Sequence, residues 1–373
     1  MQKRIPKIRV LHIVEDLKIG GLERIIASIV LALNRDRYEA KVWCLAEGGQ
    51  IAEELIDQGV EVKMLGMRSY YNPLQIMTLS RLLRNEKINI LHTHGYFGST
   101  FGRVAAIFAR VPVVLVHVHS TYYGYKKRNI VIEKLLSFFT DKTICVSEAV
   151  KRFVVEIEGI AEKKTCLIHN GVEIPGTFEA DPSVNRNSFS FSEEDYVAIT
   201  IASLTPNKGH RVLIDAIKII SPKYNDLRLL IVGDGPLRDN LGAYAEELQL
   251  SSKIVFTGQR DDINLLLKLA DIFILPSMER EGLGIAIIEA MAVGLPVIGT
   301  RLGGIPEVIE EDVNGLLFAP GNSEELAAAI EKLIAAPAIR EKMGRMGRGI
   351  YEEKFTAEKM ITNIESLYDE LTP

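Results

Sequence analysis

Glu281 and Glu289 flank a short glycine loop, Gly282-Leu283-Gly284, in the C-terminal half of the chain. An apolar run, Ile272 to Leu275, precedes the loop and ends at Pro276, which predicts a buried parallel strand. The glycines let the backbone approach a ligand closely, and the helix that follows offers unpaired N–H groups, so the loop favours a phosphate. Because carboxylates repel phosphate, the two glutamates are suited to accept hydrogen bonds from hydroxyl groups beside it. This pattern favours a nucleotide-sugar; the simpler alternative is a helix cap and a surface ion pair.

Other glycine loops follow predicted strand ends in the same half, namely Lys208-Gly209, Gly233-Asp234-Gly235-Pro236 and Gly303-Gly304. Each loop alone is weak evidence, but several around one sheet edge predict a nucleotide site. Lys208 is the best single cation for a diphosphate, because a flexible ammonium can follow negative charge as it grows. The alternative for Lys208 is a solvated loop lysine.

The elements that must position these residues alternate between short β-rich runs and helices along most of the 373 residues. This alternation predicts an α/β fold with parallel sheets covered on both faces. The length allows two domains. Residues 176–192 contain Pro182 and several Asn and Ser, and their apolar residues follow neither a helical nor a strand period. This composition predicts a linker between a domain at 1–175 and a second domain at 193–352.

Polar residues also follow the predicted strands of the first domain. The first strand leads into Gly20-Gly21 and a helix, which is the opening of a Rossmann-type domain or, alternatively, a tight turn without a ligand. Ligands of parallel sheets lie outside the carboxyl ends of strands. Four residues fall at such ends: His94, His119, Ser147 and Asn170.

The histidines of this domain raise two further questions. His117 and His119 alternate along one strand, so they share a face and either could meet a ligand. His92 and His94 resemble a pair of metal ligands, but no third ligand follows or precedes them at a spacing typical of metal sites, so we predict no metal.

Charge and composition limit the partners. The net charge is −5, yet residues 1–172 hold 25 Lys and Arg against 17 Asp and Glu, and the remainder holds 19 against 32. No nucleic-acid reader motif accompanies the basic half, so an anionic membrane surface or a phosphate-bearing acceptor is the better prediction. The aromatic and cationic segment Tyr122–Asn129 and the apolar Leu135–Phe139 predict either an interfacial patch or an ordinary loop and core helix.

Cellular location is predicted from three observations. No apolar run reaches 18 residues, no secretory segment opens the chain, and the three scattered cysteines look reduced. We therefore expect a cytoplasmic protein, with peripheral contact to the inner face of a membrane as an option.

The Glu281–Glu289 spacing, with Pro276-Ser277 before it and Glu289-Ala-Met-Ala-Val-Gly-Leu-Pro-Val-Ile-Gly-Thr300 from its second glutamate, resembles the retaining glycosyltransferases of family four. The resemblance extends over nearly the whole chain. It implies the GT-B architecture, with two facing Rossmann-like domains, a cleft between them, and a final helix at about 356–371 that packs back on the first domain. The implied activity is metal-independent and cofactor-free transfer of a hexose from a UDP- or GDP-linked donor to an acceptor hydroxyl, in polysaccharide, glycolipid or other glycoconjugate synthesis.

The resemblance also implies residue roles. His119, Lys208 and Glu281 would be catalytic, and His94, Ser147 and Asn170 would lie in the cleft or near the acceptor. Ser203 stands where the family has an arginine. Either Ser203 contributes one hydrogen bond to the diphosphate and helix dipoles contribute more, or a cation such as Arg238 or Arg301 reaches the diphosphate instead. The implied donor contacts are Gly20, Gly21, Ser203, Lys208, Gly233, Gly235, Glu281, Gly282, Leu283, Gly284 and Glu289.

Two other functions remain open at this point. The missing arginine is compatible with a catalytically silent nucleotide-sugar-binding partner. A GT-B epimerase, hydrolase or phosphorylase shares the architecture, because a fold does not fix a reaction.

Overall fold

The computed structural model describes residues 6–67, 72–121, 126–173 and 183–372. The chain forms two compact units. Unit 1 comprises Met1–Gly171 and Ala357–Pro373, and unit 2 comprises Val172–Thr356. Residues 174–182, which include the first part of the linker expected at 176–192, and residues 122–125 lie outside the described residues.

Unit 1 is built on a parallel sheet. Among the described residues its strands are β1 (Ile8–Val14), β2 (Tyr38–Cys44), β3 (Glu61–Met64), β4 (Ile90–His94), β5 (Val113–Val118), β6 (Lys142–Cys145) and β7 (Thr165–Leu167). Their order is β3-β2-β1-β4-β5-β6-β7. The helices between them are α1 (Gly21–Ala32), α2 (Gln50–Asp57), α3 (Pro73–Asn85), α4 (Tyr96–Ala109), α5 (Lys127–Ser137) and α6 (Glu148–Arg152).

Unit 2 is also built on a parallel sheet with helices between its strands. Its strands within the described ranges are β8 (Tyr196–Ile201), β9 (Leu227–Val232), β10 (Ile254–Gly258), β11 (Ile272–Leu275), β12 (Val297–Thr300) and β13 (Gly315–Phe318), ordered β10-β9-β8-β11-β12-β13. Its helices are α7 (His210–Ile220), α8 (Arg238–Glu247), α9 (Ile263–Leu269), α10 (Ile285–Ala292), α11 (Ile305–Val308), α12 (Ser323–Ala335) and α13 (Pro337–Lys354). The predicted α/β class with parallel, Rossmann-like sheets is confirmed.

The last helix, α14 (Ala357–Leu371), belongs to unit 1. It contacts α1, and its buried Tyr368 hydroxyl lies 2.7 Å from His92 Nδ1. At the other boundary, the segment after residue 182 packs on unit 2 rather than forming a free linker. Arg186 forms an ion pair with Asp271 at 3.0 Å and donates to the Asp195 carbonyl. Unit 2 therefore begins before residue 193.

Each sheet reverses its strand order at one place, between β1 and β4 in unit 1 and between β8 and β11 in unit 2. In open parallel sheets, the loops that leave the two central strands diverge there and open a crevice at their carboxyl ends. Buried apolar residues of the strands themselves, among them Leu11, Trp43, Ile199 and Phe273, pack tightly and hold the strand ends in place. Both reversals are therefore the places to look for a ligand site. No helix of the described part of the chain is long and apolar enough to cross a membrane.

Candidate functional site

Lys208 and Glu281 meet at the reversal point of unit 2. Lys208 lies in the loop after β8, and Glu281 lies in the loop after β11. Lys208 Nζ donates to Glu281 Oε2 over 2.8 Å, and Ser277 Oγ donates to the same oxygen over 2.7 Å. Glu281 Oε1 accepts no hydrogen bond within the described ranges. The site therefore pairs a lysine ammonium with a largely buried carboxylate whose second oxygen is left for a ligand.

Glycines hold the two loops together. Gly209 has a φ of +69°, and a Cβ there would lie 1.9 Å from the Pro276 carbonyl oxygen. The Met278 amide donates to the Asn207 carbonyl over 2.7 Å. Gly303 has a φ of +56°, and a Cβ on it would also lie 1.9 Å from a carbonyl oxygen, that of Glu281. These contacts fix the backbone that carries Lys208 and Glu281.

The expected donor residues at the neighbouring strand ends have different roles. Ser203 is exposed, and its hydroxyl lies 3.3 Å from that of Thr205. A Cβ on Gly233 would lie 2.1 Å from the Ala202 carbonyl oxygen, and one on Gly235 would lie 2.7 Å from that of Leu204. Close packing under the Ser203 loop is therefore enough to explain both glycines.

The loop before α10 has the predicted geometry of a helix start. Gly284, with φ +88°, is the N-cap of α10, and the carboxylate of Glu281 accepts hydrogen bonds from Lys208 and Ser277. The Leu283 side chain is 2% exposed and belongs to the core. Leu283 and Gly282 can therefore offer a ligand only backbone groups, whereas Glu289 is half-buried on α10.

Neither arginine suggested as a substitute for Ser203 is held ready for a diphosphate. Arg301 pairs with Glu325 at 2.8 Å and with Glu311 at 3.0 Å. Arg238 donates to the Phe256 carbonyl over 3.0 Å, and its guanidinium lies over the Phe256 ring. Lys208 is thus the cation that the loops themselves present beside Glu281.

At the reversal point of unit 1, strand register collects five histidines on one face of the sheet. His12 on β1 is in register with His92 on β4, and His94 on β4 is in register with His117 on β5. Because residues i and i+2 share a face, His92 joins His94 and His117 joins His119. We call these five residues, His12, His92, His94, His117 and His119, the histidine cluster.

Four residues of this cluster are buried, and the fifth, His119, is half-buried. His12 Nδ1 lies 3.0 Å from His94 Nε2, and His94 Nδ1 lies 3.1 Å from His119 Nε2. Burial lowers the pKa of His12 and of His119 to about 3. Burial, together with the neighbouring imidazoles, holds the pKa values of His92, His94 and His117 well below the ordinary value. All five rings are therefore neutral at pH 7.

His117 and His119 differ in exposure. His117 is 1% exposed, whereas His119, just past the end of β5, is half-buried. The cluster also corrects the argument that His92 and His94 lack a third ligand. His12 comes from a neighbouring strand some 80 residues earlier in sequence, where no spacing rule would find it.

The Gly20-Gly21 loop leads into α1 with Gly20 as its N-cap. Glu23, in the first turn, packs against it, and a Cβ on Gly20 would lie 2.2 Å from Glu23 Oε2. Burial, and to a lesser extent the charge of Asp16, raises the pKa of Glu23 to about 7. Sequence reasoning missed Glu23, although an acid two residues after a glycine pair at a helix start was a visible signal.

Two further expected cleft residues are buried. Ser147 is the N-cap of α6, and its hydroxyl accepts from the Val150 amide over 3.1 Å, so a capping role explains it. Asn170 is 2% exposed, and its Oδ1 has no hydrogen-bond partner among the described residues. Sequence reasoning also gave no role to Ser277, although Pro276-Ser277 stood within the diagnostic segment.

Two Rossmann-like units with polar strand ends at each reversal point are compatible with several reactions, and comparison with known families identifies the class as the glycosyltransferases of the GT-B fold. Residues 183–349 match the family model described as glycosyl transferases group 1, and residues 19–174 match that of glycosyltransferase family 4. The chain belongs to glycosyltransferase family 4, as the resemblance predicted.

Individual relatives support this assignment. EpsD of Bacillus subtilis, itself an inferred glycosyltransferase, is 30% identical over 87% of this chain and 88% of its own. The UDP-Gal:α-D-GlcNAc-diphosphoundecaprenol α-1,3-galactosyltransferase of Escherichia coli is 25% identical over 99% of this chain and 98% of its own. The crystal structure of Anabaena HepE in complex with UDP superimposes with a TM-score of 0.85, at 25% identity, covering 98% of this chain and all of that one.

Proposed function

We propose that this glycosyltransferase moves a hexose from a nucleotide-diphosphate sugar to an acceptor hydroxyl with retention of anomeric configuration. The Lys208–Glu281–Ser277 contact at the β8/β11 reversal carries the proposal. It places a cation beside the start of α10, where a diphosphate would be bound, and a carboxylate oxygen beside it for a sugar hydroxyl. His119 would contact the transferred sugar as a neutral imidazole.

Transfer then rests on electrostatics and positioning. The backbone N–H groups at Gly282–Gly284 and Lys208 stabilise the departing diphosphate as negative charge develops on it. Positive charge develops at the anomeric carbon. The acceptor oxygen attacks from the face that the diphosphate leaves, a departing phosphate oxygen takes the acceptor proton, and the new glycosidic bond keeps the donor configuration. No enzyme carboxylate forms a bond to the sugar, and no metal takes part in this step.

The relatives favour a uridine donor. HepE was crystallised with UDP, and the Escherichia coli relative is named for the use of UDP-galactose on a lipid-linked diphosphate acceptor. By analogy, we propose a UDP-sugar donor here, with GDP-sugars as the alternative, and a role in glycoconjugate synthesis.

The reaction can be tested with a panel of UDP-, GDP- and ADP-sugars and the measurement of released nucleotide. We expect release from one donor class, and proton NMR of the transferred sugar should show the anomeric configuration of the donor. An inverted product would contradict retention. Binding without release, even with lipid-linked acceptors, would indicate a silent binding partner. A donor isomerised without release would indicate an epimerase, and release that no acceptor accelerates would indicate a hydrolase.

The outer face of α5 supports a membrane-associated acceptor. Val131, Leu135, Phe138 and Phe139 are 56–72% exposed and recur at helical spacing. Four cations, Lys126, Lys127, Arg128 and Lys134, are also exposed along this segment. Apolar side chains beside cations suit the interface of an anionic bilayer. We propose peripheral binding of this face to the inner leaflet, where a lipid-linked acceptor would be met.

Sedimentation with liposomes tests this face. The chain should bind vesicles that contain anionic lipid at low salt, and binding should weaken as salt screens the cations. The double variant L135D/F138D should bind at least about tenfold more weakly, because it removes exposed apolar area and adds negative charge. I339D, on an exposed position of unit 2, is the matched control. Equal binding of L135D/F138D and wild type would refute the proposed face.

A further inference from the structure

Three histidines of the cluster form a continuous hydrogen-bonded chain. His12 Nδ1 lies 3.0 Å from His94 Nε2, and His94 Nδ1 lies 3.1 Å from His119 Nε2. Both distances are within the range of hydrogen bonds donated by N–H groups. The chain runs from β1 through β4 to the residue just past the end of β5. It therefore links a ring inside the sheet to His119, which the proposed function places on the transferred sugar.

A chain of neutral imidazoles has two possible proton arrangements. Burial keeps the pKa values of all three rings below the ordinary value, so each ring is neutral at pH 7. A neutral ring donates through one nitrogen and accepts through the other. If His94 donates through Nε2 to His12, its Nδ1 must accept from His119. If His94 donates through Nδ1 to His119, its Nε2 must accept from His12. The three tautomers are therefore set together.

The two arrangements differ in where they leave an unpaired N–H group. The outer nitrogens of the chain, His12 Nε2 and His119 Nδ1, have no hydrogen-bond partner within the described part of the protein. When His94 donates through Nε2, the spare proton lies on His12 Nε2, inside β1, where the residue is 0% exposed. When His94 donates through Nδ1, the spare proton lies on His119 Nδ1, in a half-buried residue beyond the strand end.

The second arrangement costs less free energy. A buried N–H group without a partner is rarer in native proteins than an acceptor with an unused lone pair. His12 is fixed in a strand that pairs with β2 on one side and β4 on the other, so no ligand can reach its Nε2. His119 Nδ1 is also covered, but its residue lies past the end of β5, where a small movement of the ring brings this nitrogen to a ligand oxygen.

We propose that His94, itself held by His12, keeps His119 in the tautomer whose Nδ1–H donates a hydrogen bond to an oxygen of the transferred sugar. The sugar contact rests on the proposed function, whereas the direction of the chain does not. His12 and His94 are positioning residues, because they act through His119. His117 supports the same ring from the side, since the two rings stack with centroids 4.1 Å apart and planes inclined by 27°.

NMR of the full-length protein with ¹⁵N-labelled histidines tests the direction of the chain without a sugar donor. The protonated and the bare nitrogen of a neutral imidazole have widely different ¹⁵N shifts, and variants of the seven histidines assign the signals. In the wild type, we expect His119 and His12 to carry their protons on Nδ1. A proton on His119 Nε2 would overturn the proposal, and the proposed transfer reaction would still stand.

H94F removes both links and should leave His119 as a mixture of its two tautomers. H92N is the matched control, because His92 is also buried on β4 but its Nδ1 is bonded to the Tyr368 hydroxyl, outside the chain. Asparagine keeps a polar atom for that hydroxyl, so His119 should stay protonated on Nδ1. An unchanged His119 tautomer in a folded H94F would overturn the positioning role. If circular dichroism shows H94F to be unfolded, the ¹⁵N–¹⁵N coupling across the wild-type His94–His119 link decides, and its absence contradicts the chain.

Kinetics with the preferred donor test the sugar contact. H94F should lower kcat/KM about tenfold, the effect of one lost hydrogen bond. H94N can donate from near the position of His94 Nδ1, so it should recover most of the rate and the wild-type tautomer of His119. Wild-type kcat/KM in a folded H94F with mixed tautomers would overturn the contact with the sugar. A wild-type protein that turns over no nucleotide-sugar would instead contradict the proposed function, and the NMR result would still fix the direction of the chain.

Discussion

K208A is expected to lower the rate of sugar transfer about 10²–10³-fold, the loss typical of removing one group that stabilises developing negative charge. Lys208 Nζ lies 2.8 Å from Glu281 Oε2 in the loop that precedes α10. Arg301 and Arg238 are bonded to other groups, namely Glu325 and the Phe256 carbonyl. Because this charge grows in the transition state, the loss should fall mainly on kcat. Steady-state kinetics with the preferred donor will measure it.

The matched control is K223A, which removes an exposed lysine of unit 2 that pairs with Glu331. It should transfer at the wild-type rate. E281A should also lose most activity, and the double variant K208A/E281A should lose less than the product of the two single losses, because the residues act as a pair. Wild-type activity in K208A or E281A would refute the assigned roles.

G209A is expected to destabilise unit 2 by about 2–4 kcal/mol and to abolish most transfer in the protein that remains folded. The φ of +69° is unfavourable for alanine, and its methyl group would lie 1.9 Å from the Pro276 carbonyl oxygen. Relief of this clash must separate the Lys208 loop from the loop that carries Glu281. Urea unfolding and kinetics on the same samples will measure both effects.

G242A is the control for this substitution. Gly242 lies within α8, has no atom within 4 Å of its missing Cβ, and lacks a positive φ. Alanine there should stabilise the protein by about 0.5–1 kcal/mol, because it restricts the unfolded chain and favours helix. If G209A proves as stable and active as G242A, the close approach of the two loops is not needed for function.

The alternation of short apolar runs with helical segments predicted the fold class, because the buried strands of parallel sheets consist of short apolar runs. The alternation also located polar residues at strand ends, and Lys208 and Glu281 are indeed in contact although 73 positions separate them. Strand order explains this, since β8 and β11 are neighbours in the sheet.

Contacts set by register could not be predicted in the same way. His12 and His117 join the histidine cluster only because β1, β4 and β5 are adjacent and their register places His12 beside His92 and His117 beside His94. A shift of one position would move each set of side chains to the other face of the sheet. The packing roles of Gly233 and Gly235 were hidden for a similar reason, because a glycine loop looks the same whether a ligand or the chain itself approaches it.

We propose that a donor diphosphate is bound at the β8/β11 reversal, against Lys208 and the start of α10. A crystal structure of the full chain with UDP tests this most directly. We predict a phosphate oxygen within about 3.2 Å of Lys208 Nζ and another within hydrogen-bond distance of a backbone N–H at Gly282–Gly284. UDP bound away from this loop, or with its phosphates remote from Lys208, would contradict this binding site.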